Sequence, residues 1–167
     1  MHAMTQSNLE AAFAGESQAH MKYAIFADTA EAEGYPEVAR LFRAISYAER
    51  VHATNHLREL QGVGDTAANL KEAFGGERYE NTEMYPAFDA VAHLQGEKGA
   101  LLSIHYALEA EKIHEAMYTD ARASVVAGQD INSAPVFVCP RCGHTVIGEA
   151  PERCPVCRRP KEDYIQF

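Results

Sequence analysis

One pattern of acidic, histidine and glycine residues occurs twice in the chain, and this repeat restricts the fold more than any other feature of the sequence. Glu49 and His52 recur as Glu111 and His114 after a shift of 62 positions. The same shift relates two further pairs, Gly34 with Gly96 and Tyr23 with Tyr85. A duplication of this kind predicts two similar supersecondary units that stack to share a core.

Each copy of the repeat predicts a pair of long helices. Apolar residues at helical spacing predict four helices, over about residues 5–33, 36–61, 70–94 and 97–126. Gly34 and Gly96 are placed to end the helices before them, and Pro36 suits a first helical turn. Pro86 is expected to kink the third helix. Two helix hairpins in tandem predict an all-α four-helix bundle.

A glutamate on the first helix of each hairpin completes the repeat. Glu16 and Glu77 each follow a glycine, although the shift between them is 61, one position less than for the other pairs. Each hairpin thus carries one Glu and one Glu-x-x-His, whose two members share a helix face. A single Glu-x-x-His is usually an ion pair. Two copies in register, each with a matched glutamate, predict the ligand set of a ferritin-like di-metal centre.

Bound metal explains why carboxylates are expected inside a helical bundle. Buried carboxylates repel one another and lose their hydration, and two cations offset both costs. Carboxylate and imidazole ligands together favour iron or manganese. Glu80 breaks the symmetry of the repeat, because it lies one turn after Glu77 whereas Ala19 occupies the matching position in the first hairpin. We therefore interpret Glu80 as an additional ligand.

The four cysteines form a second candidate metal site. They follow the polar segment 127–135 in the pattern C-x2-C-x11-C-x2-C, as Cys139, Cys142, Cys154 and Cys157. Four thiolates at this spacing predict a closed tetrahedral site, for which both zinc and iron are candidates. The knuckle "CPRCG" favours iron, because its glycine lets backbone amides approach the sulfurs. We expect a helical domain over residues 1–130 and a four-cysteine domain over 131–167.

Charge and hydropathy exclude several classes of partner. The net charge of −9 and the pI of about 5.3 disfavour nucleic acid and anionic membranes as partners. No apolar run approaches the roughly 20 residues that span a bilayer, and there is no apolar leader segment. We therefore expect a soluble, cytoplasmic protein.

Four motifs and the two cysteine knuckles together cover nearly the whole chain. The motifs are "AFAGESQA", "AERVHA", "GERYENTEMYP" and "AEKIHEAMY". In this order they resemble the sequence of rubrerythrin. The resemblance implies a ferritin-like di-iron domain followed by a rubredoxin-like domain. It also implies a peroxidase that reduces hydrogen peroxide to water. Electrons are then expected from NADH, through a separate reductase or rubredoxin-type donor, to the four-cysteine iron and on to the di-iron pair. Members of the family form homodimers or larger homo-oligomers, in which head-to-tail pairing brings the four-cysteine iron of one chain near the di-iron site of another.

The resemblance also implies roles for individual residues. The implied ligands of the two irons in the carboxylate-bridged pair are Glu16, Glu49, Glu77, Glu80, Glu111, His114 and, in the reduced state, His52. Tyr23 and Tyr85 match tyrosines that flank the metals in the family. Four glutamates balance two ferrous ions, and a fifth becomes favourable with two ferric ions, so Glu80 and His52 are expected to alternate as ligands of one iron. The second knuckle, "CPVCRR", lacks the glycine of simple rubredoxins.

Three other functions fit parts of the sequence. A ferritin-like ferroxidase or iron-storage protein would use the same carboxylates, but storage needs no one-electron relay and so leaves the cysteine domain unexplained. An oxidase that activates oxygen would use the same irons. A zinc ribbon that serves as an interaction module, attached to a bundle without metal, is the third alternative.

Overall fold

The computed structural model describes residues 1–167, which divide into two compact units, Met1–Gly64 and Asp65–Phe167. The first unit is a hairpin of helix α1 (Ala3–Ala32) and helix α2 (Pro36–Glu59). Gly34 has a φ of 84°, a left-handed conformation that glycine adopts without steric cost, and Pro36 opens α2. The helices predicted over 5–33 and 36–61 are therefore present.

Small residues bring α1 and α2 together. Ala27 and Ala39 are fully buried, and the Ser46 hydroxyl donates a hydrogen bond to the backbone oxygen of His20 at 2.9 Å. Large apolar side chains of the same hairpin are exposed, among them Ile25, Phe26, Leu41 and Ile45. A helix pair with an apolar face of this size needs another element to cover it, so the hairpin has the properties of one half of a bundle.

The second unit begins with a helical run that is not uniform. Helix α3 (Thr66–Tyr79) leads into a π-helical segment (Glu80–Met84), which leads into helix α4 (Tyr85–Gln95). The run starts four residues earlier than expected because the Asp65 carboxylate caps it, accepting a hydrogen bond from the Ala68 amide at 2.8 Å. The irregularity expected at Pro86 takes the form of the π-helical segment just before it. Gly96, with a φ of 71°, ends the run, and helix α5 (Lys98–Val126) follows.

The C-terminal domain contains a small three-stranded sheet. Strands β1 (Val136–Val138), β2 (Thr145–Ile147) and β3 (Ile165–Gln166) are antiparallel in the order β2-β1-β3. Its core consists of cysteines rather than large apolar side chains, since Cys139, Cys142 and Cys154 are buried and contact Tyr106 and Tyr164. A domain this small needs additional stabilisation, such as a bound metal ion, to stay folded.

The cysteine domain packs on α5 within the second unit. The guanidinium carbon of Arg141 lies 5.8 Å from the centre of the Tyr106 ring, and a Cβ added to Gly143 would lie 3.4 Å from the Cβ of Ala110. Because of this packing, the cysteine domain belongs to the same compact unit as the second hairpin. The domain boundary predicted near residue 130 stays a prediction. None of the helices is both long and apolar enough to cross a membrane.

Candidate metal centres

The first hairpin brings three predicted ligands together. Glu16 projects from α1, and Glu49 and His52 project from α2, with one ligand atom of each within 4.8 Å of the others. His52 Nδ1 lies 3.0 Å from Glu49 Oε2 and 3.8 Å from Glu16 Oε1. The His52 side chain is 53% exposed, whereas that of Glu49 is only 16% exposed. We call these three residues the first group.

The second hairpin repeats this arrangement. Glu77 on α3 meets Glu111 and His114 on α5, again with one ligand atom of each within 4.8 Å of the others. His114 Nδ1 lies 2.6 Å from Glu111 Oε2. The His114 side chain is 26% exposed, so this second group is less accessible to solvent than the first at its imidazole. In each group, the Nδ1 atom of the imidazole faces the carboxylates.

The second group holds an uncompensated carboxylate. Burial, the hydrogen bond and charge of Glu111, and the charges of Glu80 and Glu115 together raise the pKa of Glu77 to about 8. One carboxylate oxygen of Glu77, Oε2, is buried without a hydrogen-bond partner. A cation bound among these carboxylates would satisfy the orphaned oxygen and remove the repulsion, so the residues present fit a metal ion.

The π-helical segment explains the one-position slip in the repeat. Eight positions separate Glu77 from Tyr85, whereas seven separate Glu16 from Tyr23. A π-helical turn accommodates one extra residue inside an α-helix, and such turns are frequent at functional sites. The extra residue lies between the first-helix glutamate and the tyrosine, so both keep their places in the repeat.

Glu80 begins this segment and lies close to the second group. Burial raises its pKa, and the charge of Glu111 raises it too, while His114 lowers it. Glu80 is nevertheless outside both groups of converging ligand atoms. Six of the seven predicted ligands thus converge, and the roles of all seven as ligands stay predictions.

The two predicted tyrosines have different surroundings. Burial raises the pKa of Tyr85, and the charges of Glu80, Glu111 and Glu77 add to this shift, which places its hydroxyl beside the second group. Tyr23 contacts aromatic rings of the first hairpin, with its ring centre 6.2 Å from those of both Phe26 and Phe42. Their roles beside the metals also stay predictions.

Sequence reasoning missed a polar pair beside the second group. Asn81 Nδ2 donates a hydrogen bond to Glu115 Oε2 at 2.8 Å, and Asn81 Oδ1 is buried without a partner. Glu115 also contributes to the raised pKa of Glu77. The sequence did contain a signal for Glu115, because the repeat places Ala53 at the matching position of the first hairpin. The same asymmetry that singled out Glu80 applies to Glu115.

The four cysteines converge as predicted from their spacing. The Sγ atoms of Cys139 and Cys157 are 3.4 Å apart, and those of Cys142 and Cys154 are also 3.4 Å apart. Burial tends to raise the pKa of Cys154, but a hydrogen bond from Tyr164 and backbone hydrogen bonds from Cys157 and Val156 outweigh it and lower the pKa to about 6. Burial raises the pKa of Cys142. Four converging sulfurs, one of them with a lowered pKa, fit a tetrahedral metal ion.

The raised pKa of Glu77 predicts that the metal-free protein loses stability as the pH rises. The folded protein keeps the Glu77 proton up to about pH 8, whereas the unfolded chain releases it near 4.5. Between these values folding takes up a proton, so the free energy of unfolding falls with increasing pH. At about 1.4 kcal/mol per tenfold change in the ionisation constant, we expect a fall of a few kcal/mol.

Urea unfolding of the metal-free protein at about pH 5.5 and about pH 8.5 measures this fall. Glu77→Gln should reduce the difference between the two pH values, because it removes the carboxyl group responsible. Glu16→Gln is the matched control in the first hairpin and keeps Glu77, so it should retain the difference. An equal pH dependence in the wild type and in Glu77→Gln would contradict this assignment.

Two family models match the chain. The model described as "Rubrerythrin" matches residues 7–122, and that described as "Rubrerythrin, rubredoxin-like domain" matches residues 137–165. These matches confirm the fold class expected from the sequence, an all-α ferritin-like four-helix bundle with a small C-terminal rubredoxin-like four-cysteine domain.

Individual relatives extend over almost the whole chain. Rubrerythrin-2 of Clostridium acetobutylicum is 41% identical, over 99% of this chain and 98% of its own length. Nigerythrin of Nitratidesulfovibrio vulgaris is 36% identical, over 98% of this chain and 86% of its own length. The solved structure of the fully reduced, all-ferrous state of nigerythrin has a TM-score of 0.59 with 33% identity, and covers 98% of this chain and 86% of that one. The repeat, the converging ligands and these matches agree, and the chain belongs to the rubrerythrin family.

Proposed function

We propose that the protein is a non-haem di-iron peroxidase that reduces hydrogen peroxide to water. Each carboxylate–histidine group would hold one iron of a carboxylate-bridged pair in the assembled protein, and the four cysteines would hold one further iron. The observation that carries this proposal is the carboxyl group of Glu77. It is half-buried beside Glu111, its Oε2 atom is buried without a hydrogen-bond partner, and it lies in the same unit as the four-cysteine cluster. Iron bound at these residues would supply the electrons that cleave the oxygen–oxygen bond of peroxide.

The residues around the second group are suited to hold protons for this reaction. Tyr85 keeps its hydroxyl proton because burial and three nearby carboxylates raise its pKa, so the hydroxyl can donate a hydrogen bond to a peroxide oxygen. Glu80 lies at the same place, and burial raises the pKa of its carboxyl group. Reduction of peroxide to two water molecules consumes two protons and two electrons, so proton-bearing groups of this kind are required.

The cysteine domain supports a relay of electrons. It packs on α5, the helix that carries Glu111 and His114. We propose that a separate reductase or rubredoxin-type donor, using NADH, delivers electrons to the four-cysteine iron. The four cysteines form no disulfide, as expected of metal ligands in a reducing compartment, and this supports a cytoplasmic location. The exposed apolar side chains of the hairpins favour a homodimer or larger homo-oligomer.

Peroxide consumption by the iron-loaded protein tests this function. With NADH and a rubredoxin-type reductase, we expect turnover with peroxide to exceed turnover with oxygen. Faster turnover with oxygen would favour an oxidase. Assembly into a cage in light scattering, together with iron uptake and no reductant-driven peroxide turnover, would favour the ferroxidase or iron-storage alternative.

A prediction about Glu80 and His52 follows from the difference between the two groups. Glu80 lies beside the second group but outside its converging ligand atoms, and the His52 side chain is 53% exposed. We expect crystals of the reduced iron-loaded protein to show His52 coordinated and Glu80 free, and oxidised crystals to show the reverse. Glu80→Ala should slow peroxide turnover while ferrous binding survives, because one compensating charge is lost. Identical ligands in both redox states would refute the exchange.

A further inference from the structure

A threonine of the cysteine domain contacts the imidazole of the second group. Thr145, the first residue of β2, has its Oγ1 atom 2.8 Å from His114 Nε2. The other ring nitrogen, Nδ1, faces Glu111 Oε2 at 2.6 Å. The imidazole of His114 is therefore held from both sides, by a carboxylate of its own helix and by a hydroxyl group of the domain that carries the cysteines.

The two contacts of the Thr145 hydroxyl show which atom donates the hydrogen bond between Thr145 and His114. The Thr145 hydroxyl donates its only hydrogen to the backbone oxygen of Gly143, at 2.9 Å. Its oxygen is then an acceptor for His114, so Nε2 carries a proton and donates it. With Nε2 protonated, the lone pair that His114 offers to a metal ion is on Nδ1, the nitrogen that faces Glu111. A partner of this kind fixes the tautomer and orientation of a metal-binding histidine.

The position of Thr145 depends in turn on the cysteine knuckle. Gly143 directly follows Cys142, has a left-handed φ of 76°, and donates its amide to the backbone oxygen of Cys139 at 3.0 Å. The Cys139 amide donates to the backbone oxygen of His144 at 2.9 Å. Such a knuckle is ordered when its thiolates bind a metal ion. The hydroxyl that meets His114 is thus anchored to backbone whose order depends on occupancy of the four-cysteine site.

The first group lacks an equivalent contact. His52 also points Nδ1 at carboxylates, but its Nε2 has no hydrogen-bond partner in the structure, and its side chain is twice as exposed as that of His114. The threonine hydroxyl behind the imidazole is therefore a support that His114 has and His52 lacks.

We propose that Thr145 is a positioning residue that couples the two kinds of metal site. Metal at the four cysteines orders the knuckle, holds Thr145 against His114 Nε2 and raises the affinity of Glu77, Glu111 and His114 for their own metal ion. This inference rests on the metal-binding part of the proposed function and is independent of peroxide reduction. By linkage, metal at the second group also strengthens metal binding at the cysteines.

Manganese binding measures this coupling without any turnover. Metal-free protein, with or without one equivalent of Zn²⁺ to fill the cysteines, is titrated with Mn²⁺ and free Mn²⁺ is followed by EPR. We expect zinc at the cysteines to raise Mn²⁺ affinity by about 10-fold or more, the range for loss of an outer-shell partner. Thr145→Val should remove this gain, whereas Thr145→Ser keeps a hydroxyl and should retain it. Thr54→Val is a control, because it removes a hydroxyl that bonds only the backbone oxygen of Arg50.

Nitrogen NMR of the zinc-loaded protein provides a second, independent readout. The wild type should show His114 with Nε2 protonated and hydrogen-bonded, and Thr145→Val should shift this signal even where the cysteine domain keeps its zinc. A wild-type His114 that lacks a proton on Nε2 in the zinc-loaded state would overturn the proposal. So would a Mn²⁺ affinity in zinc-filled Thr145→Val equal to that of the wild type. Absence of peroxide turnover in the wild type would overturn the proposed function and leave the coupling intact.

Discussion

Replacement of Cys142 by Ser is expected to reduce NADH-driven peroxide turnover to the background rate. Cys142 is buried, and its Sγ atom lies 3.4 Å from that of Cys154. Because burial raises the pKa of its thiol, Cys142 becomes a thiolate only when a metal ion binds to it. A serine hydroxyl is a poor substitute for this soft ligand. The variant should therefore lose the iron centre that we propose accepts electrons from the reductase. Steady-state peroxide consumption measures the loss.

The same variant should still react once with peroxide. The ligands of the carboxylate–histidine groups are unchanged in Cys142→Ser, so chemically reduced iron at those groups should be oxidised in a single event. Arg158, an exposed neighbour of the cluster, offers a control, and Arg158→Lys should keep steady-state turnover because it supplies no ligand. Steady-state turnover at the wild-type rate in Cys142→Ser would rule out the relay.

Replacement of Glu111 by Ala is expected to have the opposite pattern. Glu111 approaches His114 Nδ1 to 2.6 Å and raises the pKa values of Glu77, Glu80 and Tyr85, so it is central to the second group. Its loss should lower the affinity of this group for Fe²⁺ by more than about 100-fold, the upper end of the range for outer-shell partners. The variant should keep the visible absorption of the four-cysteine iron but lose peroxide oxidation. Iron content and single-turnover stopped flow measure both.

Glu109 provides a matched control on the same helix. It forms an exposed ion pair with Lys112 at 2.6 Å, and an exposed pair of this kind contributes little to stability. Glu109→Ala should therefore retain iron binding and peroxide turnover. A Glu111→Ala protein that binds iron and reduces peroxide as well as Glu109→Ala would remove the second group from the account.

The helix hairpins and the convergence of ligand atoms could be predicted because they depend on local signals. Gly34 and Gly96 end helices by adopting left-handed backbone, which few other residues do readily, and this requirement is visible in the sequence. Residues three apart on a helix share a face, so Glu111 and His114 had to be neighbours once α5 was recognised. The cysteine cluster followed from spacing in the same way.

Other features depend on packing between elements and could not be predicted from local signals. The sequence shows that the repeat shift between Glu16 and Glu77 is one position less than for the other pairs. That the extra residue forms a π-helical segment depends on how α3 and α4 pack against α5. The hydrogen bond between Thr145 and His114 joins residues 31 positions apart, in two domains whose packing no periodicity describes. Asn81 and Glu115 meet for a similar reason, across two helices.

The most direct test of the account is an anaerobic titration of the fully reduced, iron-loaded protein with hydrogen peroxide. The account predicts that peroxide oxidises the iron held by the carboxylate–histidine groups and that the four-cysteine iron then becomes oxidised as well, seen as the appearance of its visible absorption. In Glu111→Ala the four-cysteine iron should stay reduced, because peroxide is no longer reduced at the site that would take electrons from that iron. A wild-type protein in which the four-cysteine iron stays reduced after peroxide, or which takes up iron only at the cysteines, would contradict the account.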